Sequence, residues 1–238
     1  MNSEHPEYNR DTNPYPSFGK KYSSERAIIS LTSWSARIST CSKTIFSLLK
    51  QCPGFHIVLV LSEEEFPKMM DELPENLKLF VDNELIEVLW VYKNYRSFKK
   101  VLFTMDKYRD VPIISADDDC IYGCNYAQML YDRWKKEKTK IFYCSPGQGS
   151  GWGYIWPPSV YKTNTLKYVS ILSKISNNDD LFYIKMADKM KIVKICINLK
   201  SIATCHNTIG AINMGKIYKE NKNFRKQENE KFDLILKQ

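Results

Sequence analysis

The chain has 238 residues, 43% hydrophobic and 26% charged, enough for one sizeable core and too few for two independent domains. Its 35 Lys and Arg exceed its 27 Asp and Glu, a net charge of +8 that suits nucleic acid, an anionic membrane surface or phosphorylated small molecules. The basic residues are scattered, without zinc-finger spacing or an arginine-rich arm, so nucleic acid is not expected as a partner, and no apolar run reaches membrane-spanning length.

Residues 1–24 are polar, with Pro6, Pro14, Pro16 and Gly19, and are expected to form a loose leader. A buried strand is expected at 27–32 (Ala-Ile-Ile-Ser-Leu-Thr). A helix follows over 38–51, with Ile38, Cys41, Ile45, Leu48 and Leu49 on one face and Cys52-Pro53-Gly54 as its stop. Further strands are expected at 56–61 and 85–91. Ser97 is expected to cap a helix presenting Phe98, Val101, Leu102 and Met105. A strand at 111–116 ends in Asp117-Asp118-Asp119, and Asn125 is expected to cap a helix with Tyr126, Met129, Leu130 and Trp134 facing inward. Alternating apolar strands and amphipathic helices predict one α/β domain over 25–215, a mainly parallel central sheet with helices on both faces. The basic segment 216–238 is expected to be a tail, either a solvated helix or disordered.

The acid triplet is the centre of the reading. Three carboxylates directly after a buried strand repel one another, and a hard cation such as Mn²⁺ or Mg²⁺ would relieve that repulsion. A solvated turn is the bland alternative, since Asp favours turns and helix N-termini. In open parallel sheets ligands bind beyond the carboxyl ends of the strands, which places Thr32, Ser33 and Asp117 to Asp119 on one edge. Arg37 and one of Lys99 or Lys100 are candidates to neutralise a diphosphate. Asp179 or Asp180 is expected to cap a helix; Asp179 suits that role, and Asp180 suits a general base that takes a proton from an attacking hydroxyl. Four glycines between Gly147 and Gly153, flanked by Trp152, Tyr154 and Trp156, read equally as an acceptor pocket or lid and as a structural aromatic hairpin. His206 reads as a structural residue or as a further metal ligand. The seven cysteines, an odd number after a polar N-terminus, fit free thiols in a reducing cytoplasm, and the C-x3-C pair Cys120 and Cys124 lacks a second pair to complete a zinc site.

The ordered set Ile29-Ser30-Leu31-Thr32-Ser33-Trp34 with Arg37, Leu61-Ser62-Glu63-Glu64-Glu65-Phe66-Pro67, Ser97-Phe98-Lys99-Lys100 and Ile114-Ser115-Ala116-Asp117-Asp118-Asp119 resembles bacterial family-2-like glycosyltransferases of the GT-A fold that build surface polysaccharides. Asp179-Asp180-Leu181-Phe182, with Tyr154 to Pro158 before it, is similar to the acceptor side of the same family. The resemblance runs from about residue 26 to 198. It implies a nucleotide-sugar donor, usually a UDP-sugar, with Mn²⁺ or Mg²⁺ bridging its phosphates. Thr32, Ser33 and Arg37 would hold the nucleotide, with Lys99 or Lys100 near the phosphates. Asp117 would face the ribose or sugar, Asp119 would hold the metal with Asp117 and His206, and Asp118 would share either task. Asp180 would be the base of an inverting transfer, with Trp152, Tyr154 and Asp179 toward the acceptor. The expected acceptor is a glycan or lipid-linked glycan, and the basic surface suits peripheral contact with an anionic membrane. The Gly-rich loop departs from the family pattern and leaves the acceptor open. The rivals are a nucleotidyltransferase, disfavoured because 32–37 has no glycine, and a non-catalytic glycan- or nucleic-acid-binding module.

Overall fold

The computed structural model describes residues 26–51, 54–144, 153–161, 165–198, 203–205 and 221–237. Its centre is a seven-stranded sheet in the order β3-β2-β1-β4-β7-β6-β8. Strands β1 (Ala27–Thr32), β2 (Phe55–Ser62), β3 (Glu87–Val91) and β4 (Ile113–Ser115) are mutually parallel. Strand β7 (Tyr154–Trp156) runs antiparallel to both β4 and β6 (Ile141–Tyr143), and β8 (Lys194–Cys196) is parallel to β6. A separate antiparallel ribbon pairs β5 (Cys120–Tyr122) with β9 (Ala203–Cys205).

Strand alternation splits the core into two layers. From β1 and β2, Ile28, Val58 and Val60 face one layer, while Ile29, Leu31, Leu59 and Leu61 face the other. The first layer is covered by α3 (Lys99–Lys107), α5 (Thr165–Leu172), α6 (Asp179–Lys189) and α7 (Lys222–Leu236). The second is covered by α1 (Ile38–Leu48), α2 (Glu75–Asp82) and α4 (Tyr126–Lys136). Helices on both faces explain why the central strands read as continuous apolar runs. Each fully buried Ile, Leu or Phe in these layers contributes roughly 1.5 to 3 kcal/mol.

Several local expectations change. Ser97 lies in a 3₁₀ turn, Arg96–Phe98, ahead of α3, and its hydroxyl donates to Asn177 O at 2.6 Å instead of capping the helix. Asn125 occupies the N-cap of α4 without a side-chain cap bond. The cap of α6 is Asn178, whose side chain accepts from Leu181 N–H, so Asp179 and Asp180 are the first two helical residues. The terminal segment is not wholly solvated: α7 buries Phe232, Leu236 and Glu228.

Candidate active site

The parallel pairing of β1 with β4 brings their carboxyl ends side by side, with Ser30 opposite Ser115 and Ala116 N–H donating to Ser30 O at 2.8 Å. The loop after β1 therefore meets the acid triplet after β4. Ser33 Oγ donates to Asp118 Oδ2 at 2.6 Å, and Thr44 Oγ1 on α1 donates to Asp118 O at 2.9 Å. Arg37 Nη1 bridges Asp118 Oδ1 at 3.0 Å and Asp119 Oδ2 at 2.6 Å. Its Nε is buried with no acceptor among the described residues. Thr32 turns its hydroxyl back to Val60 O at 2.7 Å, which ties it to the sheet.

On the other side, Lys100 at the start of α3 is buried and bridges two elements. Its Nζ donates to Asp117 Oδ1 at 2.7 Å and forms an ion pair with Asp179 Oδ2 at 3.1 Å. Burial disfavours its charge, yet Asp117, Asp179 and Asp180 outweigh that and hold the ammonium well above its ordinary pKa. Lys99 is also buried. Desolvation is its largest influence, only partly offset by Glu65, Asp118 and Asp179, and it lowers the ammonium pKa to about 8. Lys99 Nζ donates to Arg96 O at 3.0 Å and to Asn94 Oδ1 at 3.4 Å.

The three acids occupy different environments. Burial pushes Asp118 up to about 6 despite Arg37 and Ser33, whereas Asp117 and Asp119 are half-exposed. Burial likewise raises Asp179, against the pull of Lys100. Ligand atoms of Asp117, Asp119 and Cys120 lie within 4.8 Å of one another. The two carboxylates suit a hard divalent cation, and the thiol does not. The repulsion expected of the triplet is partly relieved from within the chain, by Arg37 and Lys100.

Thus Ser33, Arg37, Lys99, Lys100, Asp117, Asp118, Asp119, Asp179 and Asp180 converge at one sheet edge. Tyr154 does not join them as an acceptor-facing side chain. It is 2% exposed and stacks between Tyr143 and Trp156, at 5.6 and 4.8 Å, because its place on β7 turns the ring into the core. Trp152 and His206 lie outside the described residues. Tyr122, whose hydroxyl accepts from Asp117 N–H at 2.8 Å, is a participant for which no role was expected, and Glu65 of the Leu61 to Pro67 segment links the loops after β2 and β3 by accepting from Asn94 at 3.1 Å.

No protein-family model and no curated protein sequence matches the chain. Among solved structures, a mannosyltransferase from Pyrobaculum calidifontis, in complex with GDP-Man and Mn²⁺, matches with a TM-score of 0.52 at 9% identity, over 80% of this chain and 62% of that one. The glycosyltransferase GlyE of Streptococcus pneumoniae TIGR4 gives 0.46 at 12% identity, over 72% and 45% of the two chains. Residues 1–349 of S. aureus TarS in complex with UDP give 0.47 at 12% identity, over 68% and 54%. The chain thus spans less than two thirds of each of these structures. The first likeness bears on the fold, a GT-A-type α/β domain with a mainly parallel sheet, as the sequence led us to expect.

Proposed function

We propose that the protein is a metal-dependent glycosyltransferase that moves a sugar from a nucleotide-sugar donor to a hydroxyl of a glycan acceptor. The observation that carries this reading is the convergence, at the carboxyl edge of β1 and β4, of Asp117 to Asp119 with Arg37, Lys100 and the first turn of α6. A fold shared with a mannosyltransferase bound to GDP-Man and Mn²⁺ supports it.

In this reading Asp119 and Asp117 hold Mn²⁺ or Mg²⁺, and His206 completes the ligand set. When bound, the metal offsets charge that develops on the departing diphosphate. Arg37, paired through Nη1 with Asp118 and Asp119, supplies positive charge for a phosphate oxygen. Thr32 and Ser33 shape the nucleotide side through backbone and packing, since their hydroxyls are committed to Val60 and Asp118. Lys100 fixes the position of Asp117, and Lys99 adds positive potential beneath the site. Asp180, at the start of α6, takes the proton of the attacking hydroxyl, and the sugar transfers with inversion.

A UDP-sugar donor and a lipid-linked bacterial surface glycan as acceptor belong to the same reading, as does peripheral contact with anionic membrane through the +8 charge. Among the described residues no helix is long and apolar enough to cross a membrane. The test is the anomeric configuration of the product by NMR, together with Asp180→Asn. Inversion and a loss of about a hundredfold in kcat with donor binding intact support the assignment. A retained configuration, or an active Asp180→Asn enzyme, removes it.

A further inference from the structure

The first turn of α6 carries both acceptor-side acids, so whatever holds that turn sets their position. One grip comes from the loop after β3: Ser97 Oγ donates to Asn177 O at 2.6 Å, and Arg96 Nη1 donates to Asn177 Oδ1 at 3.0 Å. The opposite grip comes from the end of the chain. Glu228 on α7 accepts from Ser176 Oγ and from Asn178 Nδ2, the latter at 3.1 Å. Ser176 Oγ in turn accepts from Asn178 N–H at 2.9 Å, and Asn178 Oδ1 accepts from Leu181 N–H at 3.0 Å. Both ends of the Asn178 amide are therefore fixed, one by Glu228 and one by the helix it caps.

Glu228 sits in an unusual place for a carboxylate. Residues 228, 232 and 236 recur every fourth position and form the buried stripe of α7, in which Phe232 and Leu236 are apolar and Glu228 is 5% exposed. Burying a carboxylate is costly unless it is hydrogen-bonded, and an apolar residue would serve docking alone better. Docking is otherwise secured by Phe232 and Leu236, by the Lys185–Asp233 ion pair at 2.5 Å, and by Lys189 Nζ donating to Leu236 O at 2.6 Å.

We propose that Glu228 is a positioning residue for Asp179 and Asp180: its buried carboxylate orients Ser176 and Asn178, and through the Asn178 cap it fixes the turn from which both acids project. This rests on the proposed function for its catalytic consequence, and it makes the C-terminal helix part of the active-site scaffold.

The experiment compares wild type, Glu228→Ala, Glu228→Gln and Glu230→Ala, the last on the exposed side of the same helix. Steady-state kinetics use the sugar nucleotide that wild type turns over, and hydrogen exchange is followed in the peptide covering 179–184. Glu228→Ala should lower kcat at least tenfold with donor KM within about twofold, because misplacing a reacting group by about 1 Å costs up to a hundredfold. Exchange at 179–184 should accelerate. Glu228→Gln, which can accept from Asn178 and donate to Ser176 Oγ, should recover most of the rate, and Glu230→Ala should match wild type. If Glu228→Ala does not fold, Ser176→Ala takes its place with the same expected signature. Wild-type kcat and unchanged exchange at 179–184 overturn the proposal. A rate loss that only tracks the folded fraction overturns it too. If wild type turns over no sugar nucleotide, the proposed function fails separately, and the exchange data still decide whether Glu228 holds the turn.

Discussion

Arg37 and Asp119 meet at 2.6 Å across the carboxyl ends of β1 and β4, and the same guanidinium nitrogen also reaches Asp118 at 3.0 Å. An arginine thus occupies one oxygen of the carboxylate best exposed to receive a cation. In the function we propose, a metal at Asp119 would compete with this pair. Arg37→Ala should therefore strengthen Mn²⁺ binding to the donor-free protein by a few-fold, since a partly exposed pair is worth about 1 kcal/mol or less. The same substitution should weaken nucleotide binding. Calorimetric titration with Mn²⁺ checks the first effect, and unchanged or weaker Mn²⁺ affinity contradicts it.

Asp118 gives the fold a distinctive pH dependence. Burial raises its carboxyl from the usual 3.8 to about 6, so the folded state holds a proton that the unfolded state has released. The folded state binds more protons in that window, so this group's contribution to stability falls as pH rises from about 4 to about 6, by an amount on the order of 3 kcal/mol. Asp179, also raised by burial, contributes with the same sign. Glu87 is lowered by its partners, despite burial, and opposes them, so the informative quantity is a difference between variants. The gap in Tm between Asp118→Asn and wild type should shift in favour of the variant as pH rises from 4 to 6.5. A gap that is constant across this range contradicts the assignment.

Lys100 is the sole described side chain that ion-pairs both Asp117 and Asp179. Removing one partner of a buried charge network leaves uncompensated carboxylates, so Lys100→Met should destabilise by about 3 to 5 kcal/mol. Asp117→Asn with Asp179→Asn in the same background should recover much of that loss, because the stranded charges are then gone. Urea unfolding measures both. A Lys100→Met protein as stable as wild type removes the bridge from the account.

Gly153 precedes β7 with φ +107, and a Cβ there would lie 2.0 Å from Tyr126 Oη. That hydroxyl is committed to Ser115 O at 2.6 Å, just upstream of the acid triplet. Gly153→Ala should cost more than about 2 kcal/mol through backbone strain and the displaced tyrosine. Thermal unfolding tests this, and a neutral substitution would show that the Tyr126 contact can relax freely.

The sequence made the central architecture legible where periodicity was long. Strands 27–32 and 56–61 and the apolar faces of α1 and α3 emerged because a run of residues repeated one pattern; on α4 Tyr126, Leu130 and Trp134 face inward as expected, but Met129 is exposed and Ala127 is buried in its place. The three-residue strands β5, β6, β7 and β9 carry no such repeat, whereas β8 lies within the strand expected at 191–197, and β7 joins the sheet antiparallel through contacts distant in sequence. Strand-end logic placed Asp117 to Asp119 beside Ser33 and Arg37, since parallel neighbours share an edge. It did not show that the cations beside the acids belong to the chain itself. Nor did it separate Tyr154 from a surface aromatic, because burial of a three-residue strand is set by its neighbours. The role of α7 was hidden for the same reason: Glu228 looks like one more charge in a polar segment until Ser176 and Asn178 are placed beside it.

The reaction we propose is a metal-assisted transfer from a sugar nucleotide at the Asp117 to Asp119 edge. The most direct measurement is release of the nucleotide from a panel of UDP-, GDP- and CMP-sugars, with Mn²⁺ and with EDTA, in wild type and Asp119→Ala. The account predicts that one donor is turned over with Mn²⁺, that EDTA stops it, and that Asp119→Ala lowers the rate at least a hundredfold while the protein stays folded. Turnover of no donor, together with a Tm unmoved by any of these nucleotides and Mn²⁺, would contradict it.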